Sequence, residues 1–109
     1  MKKAIEHEIG TGNVYKDIGL DNADELLVQA NLIVAMRQII NERGLKQVEV
    51  AELCGLSQGD VSMLTRGLVR HFSSGRIMQV LANLGRDVEI RIKPAPKRYA
   101  LGRITVKAV

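Results

Sequence analysis

Apolar positions between residues 23 and 43 recur every three or four residues, which is typical of one face of a helix. Asn22 and Glu25 have the spacing of a capping box at its start, and Gly44 follows its end. The pattern predicts one long helix over residues 23–43, preceded by a short helical turn at residues 13–18. The prediction of this long helix is based on the apolar residues Leu26, Leu27, Ala30, Ile33, Val34, Met36, Ile39 and Ile40.

Three shorter helical segments follow, and glycines separate them. The spacing of apolar residues predicts helices over residues 47–54 and 58–66, and a third that begins after Ser73 or Ser74 and ends at Gly85. The sequence therefore predicts a mainly α-helical bundle of about five helices. The positions expected to fill its core are Val50, Ala51, Cys54, Leu56, Val61, Leu64, Ile77, Met78, Leu81 and Leu84.

The tail of the chain changes from the helical period to strict alternation. Apolar and charged side chains alternate from Val88 to Ile92, which predicts a β-strand with one buried face. Ile104 to Val106, beyond a break that contains two prolines, belongs to a second β-prone segment. Because two strands alone are marginally stable, we expect this tail to pair with a second copy of the chain in a homodimer.

The 109 residues, 46% of them hydrophobic, are enough for one small domain with a modest core. Their charge is distributed unevenly. Residues 1–60 carry 6 Lys/Arg and 10 Asp/Glu, whereas residues 61–109 carry 10 Lys/Arg and 2 Asp/Glu. The basic second half would suit a phosphate-binding surface, but a solvated basic face or an acidic protein partner would explain it equally well.

Cysteine and histidine usage excludes several classes of site. Cys54 is the only cysteine, so an internal disulfide cannot form, and His7 and His71 lie too far apart to suggest zinc spacing. We expect no metal and no cofactor. The first residues lack the apolar run of a signal peptide, and no segment approaches the length of a membrane span, so we expect a soluble cytoplasmic protein.

The segment QVEVAELCGLSQGDVSMLTR, residues 47–66, contains two short predicted helices joined at Gly55. Such a crossing needs a small residue where the backbones approach, which Ala51 supplies, and a residue that tolerates positive φ in the turn, which Gly55 supplies. Ser57 is placed to cap the second helix. This is the spacing of a DNA-binding helix-turn-helix, whose second helix enters the major groove.

The segment RGLKQVEVAELCGLSQGDVSMLTRG resembles the Xre/Cro-type helix-turn-helix of lambda-like repressors, with matching glycines at Gly44, Gly55 and Gly67. The flanking segments GNVYKDIGLDNADELLVQA and LANLGRDVEIRIKPAP resemble the HigA-type antitoxin branch of that family. This resemblance implies a lambda-repressor-like bundle that represses transcription. It further implies that the protein represses its own operon and neutralises an RelE/HigB-like ribonuclease toxin.

The resemblance divides the chain into three parts. Residues 1–20 form an N-terminal arm, residues 21–86 the helix-turn-helix DNA-binding domain, and residues 87–109 a C-terminal β arm used in dimerisation. A dimer of such domains is expected to bind double-stranded DNA at an inverted repeat, with half-sites about 34 Å apart.

Two glutamines hold the main roles that the resemblance implies. Gln47 would bind a phosphate and support Gln58, the first residue of the recognition helix. A glutamine at that place can pair with adenine N6 and N7 through its amide. Ser57 joins the DNA-binding set as the cap that begins this helix.

Further positions of the recognition helix would follow the groove. Gly59 lets the backbone come close, Ser62 offers a small hydrogen-bonding group, and Met63 would touch a thymine methyl, although core filling is an equally good explanation of Met63. Arg66 and Arg70 would hold phosphates without recognising sequence. Arg76 is a weaker candidate for the same role, and Asp60, whose carboxylate would repel phosphates, stays outside the contact set.

An enzyme is not expected. No nucleophile has a histidine in its sequence context, and TGNVYKDIG lacks the Lys-Ser ending of a phosphate-binding loop. Three hypotheses remain open: an antitoxin that represses its own operon, a stand-alone phage-type repressor, and a protein-interaction module that has lost DNA binding.

Overall fold

The computed structural model describes residues 7–9, 23–98 and 100–109. In this part of the chain four α-helices and one 3-10 helix form a mainly helical domain. The predicted mainly helical fold is confirmed, with four α-helices in place of about five. The expected turn at residues 13–18 and the Asn22 cap lie outside the described residues. The elements in order are β1 (His7–Ile9), α1 (Ala23–Arg43), α2 (Gln47–Cys54), α3 (Gln58–Thr65), a 3-10 helix (Val69–His71), α4 (Ser74–Asn83) and β2 (Val106–Ala108).

The long helix α1 is the support on which the shorter elements assemble. It packs against α3, α4, the 3-10 helix and β2, so it is buried on more than the single face that the sequence indicates. Val28 and Leu32, for example, are buried although they fall outside the predicted stripe. The predicted bounds of this helix are confirmed, and none of the described helices is long and apolar enough to cross a membrane.

Most of the predicted core positions are buried, and two side-chain hydrogen bonds connect α1 with the part of the chain that follows α3. The buried Gln29 on α1 donates its side-chain amide to the backbone carbonyl of Phe72. Arg43 Nη1, at the end of α1, donates to the carbonyl of Leu84 at 2.7 Å and so caps the end of α4. The shared core consists of Val28, Leu32, Ile33, Met36, Ile39, Val50, Ala51, Val61, Leu64, Phe72, Ile77, Val80, Leu81 and Leu84.

Three positions that the sequence assigns to the core are only partly buried. Cys54, Leu56 and Met78 pack against the core from its edge. Their burial is incomplete because of where they lie: Cys54 is the last residue of α2, Leu56 lies in the turn that follows it, and Met78 faces the groove beside the C-terminal arm. Cys54 nevertheless orients its thiol inwards, towards the carbonyl of Val80 at 3.9 Å.

The tail differs most from its prediction. β2 pairs antiparallel with β1 of the same chain, with Ile9 opposite Val106, so the expectation that this strand needs a second copy is wrong. The strand expected over Val88–Ile92 is also wrong for the single chain, since these residues carry no regular secondary structure. Ile90 and Ile92 are 75% and 94% exposed, because no strand in the described part of the chain pairs with them.

Candidate nucleic-acid interface

The turn between α2 and α3 has the geometry that the sequence predicts. Gly55 adopts φ +64°, in the left-handed region that favours glycine, and a Cβ there would meet nothing within 4 Å. The glycine is therefore required for the backbone conformation and not for space. Leu56 N donates to Ala51 O at 3.0 Å and closes the turn, which brings α3 across α2.

Helix α3 is fixed on one side and open at its start. Ser57 Oγ accepts a hydrogen bond from Asp60 N at 3.0 Å, so Ser57 is the N-cap, as predicted. Val61 and Leu64 are almost fully buried and hold the helix to the core. Gln58 and Gly59, in contrast, lie exposed on the first turn. The residues that the sequence expects to reach a partner first are the ones that the bundle leaves uncovered.

The remaining predicted contact residues differ in exposure. Gln47 is exposed at the beginning of α2. Ser62 is half-buried, and Met63 packs against the hydrophobic core, which agrees with the alternative role of Met63 as core filler. Arg66, at the C-cap of α3, and Arg70, in the 3-10 helix, are both exposed. The described surface thus carries polar groups at the start of α3 and two cations beyond its end.

A further cation lies at the end of α3 and was missed by the sequence analysis. Gly67 terminates the helix with φ +77°, and a Cβ built there would stand 3.2 Å from Arg37 Nη2. The guanidinium of Arg37 therefore lies against the turn that carries Arg66. Arg37 belongs to α1, 30 positions earlier in the chain, so no local motif connects it with this turn and the sequence contains no signal for it.

The structure gives Asp60 a partner that the sequence did not indicate. Arg76 Nη2, on α4, lies 3.6 Å from Asp60 Oδ2, and the same guanidinium lies 4.8 Å from the centroid of the Phe72 ring. Arg76 is thus engaged with α3 and with the protein core at once. The negative charge in the first turn of α3 is offset by a cation of the protein itself.

Two short helices that cross at a left-handed glycine, with the second one bare at its start, define a helix-turn-helix protein. Residues 14–93 match the family model described as "Helix-turn-helix domain", and the chain belongs to this family. Helix-turn-helix domains are typically binding modules, which agrees with the prediction that the chain is not an enzyme.

A similar protein of known structure identifies the kind of helix-turn-helix protein to which this chain belongs. A protein assigned to the XRE family of transcriptional regulators has a TM-score of 0.77 and 34% sequence identity with this chain, over 81% of this chain and 99% of that chain. No curated protein sequence matches significantly. The predicted Xre-type helix-turn-helix is confirmed, and with it membership of a class of DNA-binding transcriptional regulators; the HigA-type branch stays a prediction.

Proposed function

We propose that the chain is a sequence-specific transcriptional repressor that binds an inverted-repeat operator as a homodimer in the cytoplasm. The observation that carries this proposal is the way in which α3 is packed, with one side buried and its start exposed. Val61 and Leu64 are buried and set the direction of the helix, while Gln58 and Gly59 stand exposed at its start. A short helix held in this way presents its N-terminal residues to base edges when it enters a major groove.

Gln58 is the residue we assign to base recognition. Its exposed amide carries both a donor and an acceptor, the pair that adenine N6 and N7 require. Ser57, Gly59 and Ser62 complete the surface that we assign to the groove. Met63 can offer DNA only the part of its side chain that stays exposed, because the rest packs on the core.

Phosphate contacts are assigned to residues at both ends of the motif. Gln47 is exposed where α2 begins, and Arg66 and Arg70 are exposed beyond the end of α3. Cations in these positions fix the register of a protein on DNA without distinguishing bases. The basic half of the chain, residues 61–109 with 10 Lys/Arg and 2 Asp/Glu, supplies them.

The proposal is tested by fluorescence anisotropy with the DNA upstream of the protein's own gene. Gln58→Ala should weaken specific binding about tenfold or more and leave binding to random DNA unchanged, since one bidentate base contact is lost. The matched control is Gln38→Ala, an exposed glutamine on α1 outside the motif. Wild-type affinity in Gln58→Ala would contradict the assignment of α3 to the groove.

Arg66→Ala tests the phosphate contact separately. Binding should weaken on all sequences alike, and the slope of affinity against salt should fall by about one charge equivalent. Lys97→Ala removes the same charge from an exposed position in the arm and should leave the salt slope unchanged. Equal effects of the two substitutions would mean that only net charge matters.

We further propose that the repressor is the antitoxin of a type II toxin–antitoxin pair. The acidic balance of residues 1–60, 6 Lys/Arg against 10 Asp/Glu, supports a basic protein partner such as an RelE/HigB-like ribonuclease. Co-expression with the adjacent reading frame tests this: we expect a stable complex and relief of growth arrest. A neighbouring frame that encodes no small basic protein would favour the stand-alone repressor.

The third alternative is a protein-interaction module without DNA binding. Exposed cations at both Arg66 and Arg70 support a DNA-binding function over this alternative. Absence of binding to the upstream DNA, at low salt and with folded protein, would favour the interaction module.

A further inference from the structure

The guanidinium of Arg37 lies on the turn that ends α3. A Cβ built on Gly67 would stand 3.2 Å from Arg37 Nη2, whereas one built on any other described glycine with positive φ would meet nothing within 4 Å. Gly67 therefore not only adopts the left-handed conformation but also leaves room for a side chain from another helix. Because α1 packs against α3, this contact places a cation of α1 beside the end of α3.

Arg37 has no partner of opposite charge. Among the described residues it forms no hydrogen bond and no ion pair. The residues three and four positions away along α1 are uncharged, so no acidic side chain faces it on its own helix. They are Ile33, Val34, Ile40 and Asn41. The segment LTRGLVRH, residues 64–71, contains Arg66 and Arg70 but no acidic residue. Neither element therefore supplies a carboxylate that would offset the charge of Arg37.

We infer that Arg37 binds a phosphate of the DNA backbone, so that the DNA interface extends from the helix-turn-helix onto α1. The inference rests on the DNA-binding part of the proposed function, because Arg37 reaches a backbone only when the end of α3 lies near one. A guanidinium is suited to this contact, since it is always charged and presents a fork of donors to phosphate oxygens. A phosphate contact adds affinity on all sequences alike.

Three elements then supply cations to one stretch of backbone. Arg66 belongs to the end of α3, Arg70 to the 3-10 helix and Arg37 to α1. Cations gathered around one turn repel each other in the free protein, and a bound polyanion replaces this repulsion with attraction. Duplex DNA carries one negative charge about every 1.7 Å of its axis, a density that suits three neighbouring cations.

An exchange of two neighbouring residues tests the inference. Arg37→Gln should weaken binding to a random-sequence duplex about five- to tenfold at about 0.1 M salt, and should lower the slope of log affinity against log salt by about 0.9. The exchange Arg37→Gln/Gln38→Arg keeps the net charge but moves the cation about 100° around α1, to the side that lines the groove beside the C-terminal arm. It should bind as weakly as Arg37→Gln. A wild-type slope in Arg37→Gln, or recovery in the exchange, would overturn the inference.

A lysine variant separates a phosphate contact from a structural role of Arg37. Arg37→Lys keeps the charge but loses the guanidinium that lies on the turn at Gly67, and it should have the salt slope of the wild type. Because Arg37 is exposed, Arg37→Gln should unfold at the same urea concentration as the wild type. A lowered slope in Arg37→Lys, or an unfolding midpoint that falls together with the affinity, would overturn the inference in favour of a structural role.

A double variant tests whether the contact is separate from that of Arg66. Arg37→Gln/Arg66→Ala should lower the salt slope by about two charge equivalents, since two phosphates lose their cations. A double variant no weaker than Arg66→Ala would overturn the inference, and so would a wild type that binds no duplex at low salt. Random DNA also separates this inference from sequence recognition. Wild-type operator binding in Gln58→Ala together with a lowered slope in Arg37→Gln would contradict the proposed function alone.

Discussion

The carboxylate of Asp60 and the guanidinium of Arg76 lie 3.6 Å apart and join α3 to α4. Each residue occupies the third position of its helix, and the two helices begin alike, with SQGD at Ser57 and SSGR at Ser73. This likeness provides matched pairs of variants, in which a change in α4 controls for the same change in α3.

Removing the charge of Asp60 should affect DNA binding more than stability. Both side chains are partly exposed, so Asp60→Asn should cost less than about 1 kcal/mol of unfolding free energy. Affinity for random DNA should rise, because a carboxylate is removed and Arg76 is released to bind phosphate. Urea unfolding and anisotropy measure the two effects, with Asp87→Asn as the control outside the motif. Weaker operator binding would show instead that Asp60 accepts from a base.

Removing either N-cap serine should destabilise the protein to a similar extent. Ser57 Oγ accepts from Asp60 N at 3.0 Å, and Ser73 Oγ accepts from Arg76 N at 3.1 Å. Alanine at either position should cost about 1 kcal/mol and lower Tm by roughly 4–8 °C. Only Ser57→Ala should weaken operator binding at a temperature where both variants are folded. If Ser73→Ala lost operator binding to the same extent, the loss in Ser57→Ala would result from lower stability and not from a missing DNA contact.

Glycine at the second position of α3 should be costly for stability and useful for binding. A Cβ at Gly59 would meet only Ser57 Oγ, at 3.7 Å, and one at Gly75 would meet nothing within 4 Å. Alanine at either position should therefore raise the unfolding free energy, by up to about 1 kcal/mol. Gly59→Ala alone should reduce operator affinity, since the added methyl holds the helix away from the groove. Unchanged affinity would show that the backbone does not approach DNA at Gly59.

Gln29 should contribute more to stability than an exposed glutamine of the same helix. It is buried and donates to the carbonyl of Phe72. Gln29→Leu leaves that carbonyl without its donor, and we expect a loss of about 1–3 kcal/mol in urea unfolding. Gln38→Leu, on the exposed side of α1, should change stability by less than about 0.5 kcal/mol. Equal effects would mean that the buried hydrogen bond contributes nothing net.

The single cysteine should react slowly and make stability depend on pH. Burial raises the pKa of the Cys54 thiol, because a thiolate is poorly solvated at the edge of the core. The unfolded chain therefore ionises first, so stability present below the ordinary thiol pKa is lost as pH rises above about 8.5. Urea titrations between neutral and alkaline pH should show this fall in wild type and a smaller one in Cys54→Ala. Identical pH profiles would contradict the raised pKa of the Cys54 thiol.

Helix bounds could be predicted from sequence because their causes are local. The α1 and α2 ranges match the predictions, and the Ser57 cap and the Gly55 turn depend on residues within four positions of each other. Gly59 lies on the face of α3 opposite Val61 and Leu64, as the helical period predicts, whereas the exposure of Gln58, three residues before Val61, does not follow from that period.

The sequence by itself determined which segments form the α-helices and where these helices begin. Only the tertiary structure decided the relationships between distant positions: Arg76 with Asp60, Arg37 beside Gly67, and β1 as the partner of β2. The physical reason is the distance along the chain over which each kind of interaction acts. Caps and periodicity act within a few residues, whereas ion pairs and strand pairing depend on how the chain returns to itself. The alternation over Val88–Ile92 did not suffice for a strand, because a strand also needs a neighbour for its backbone groups.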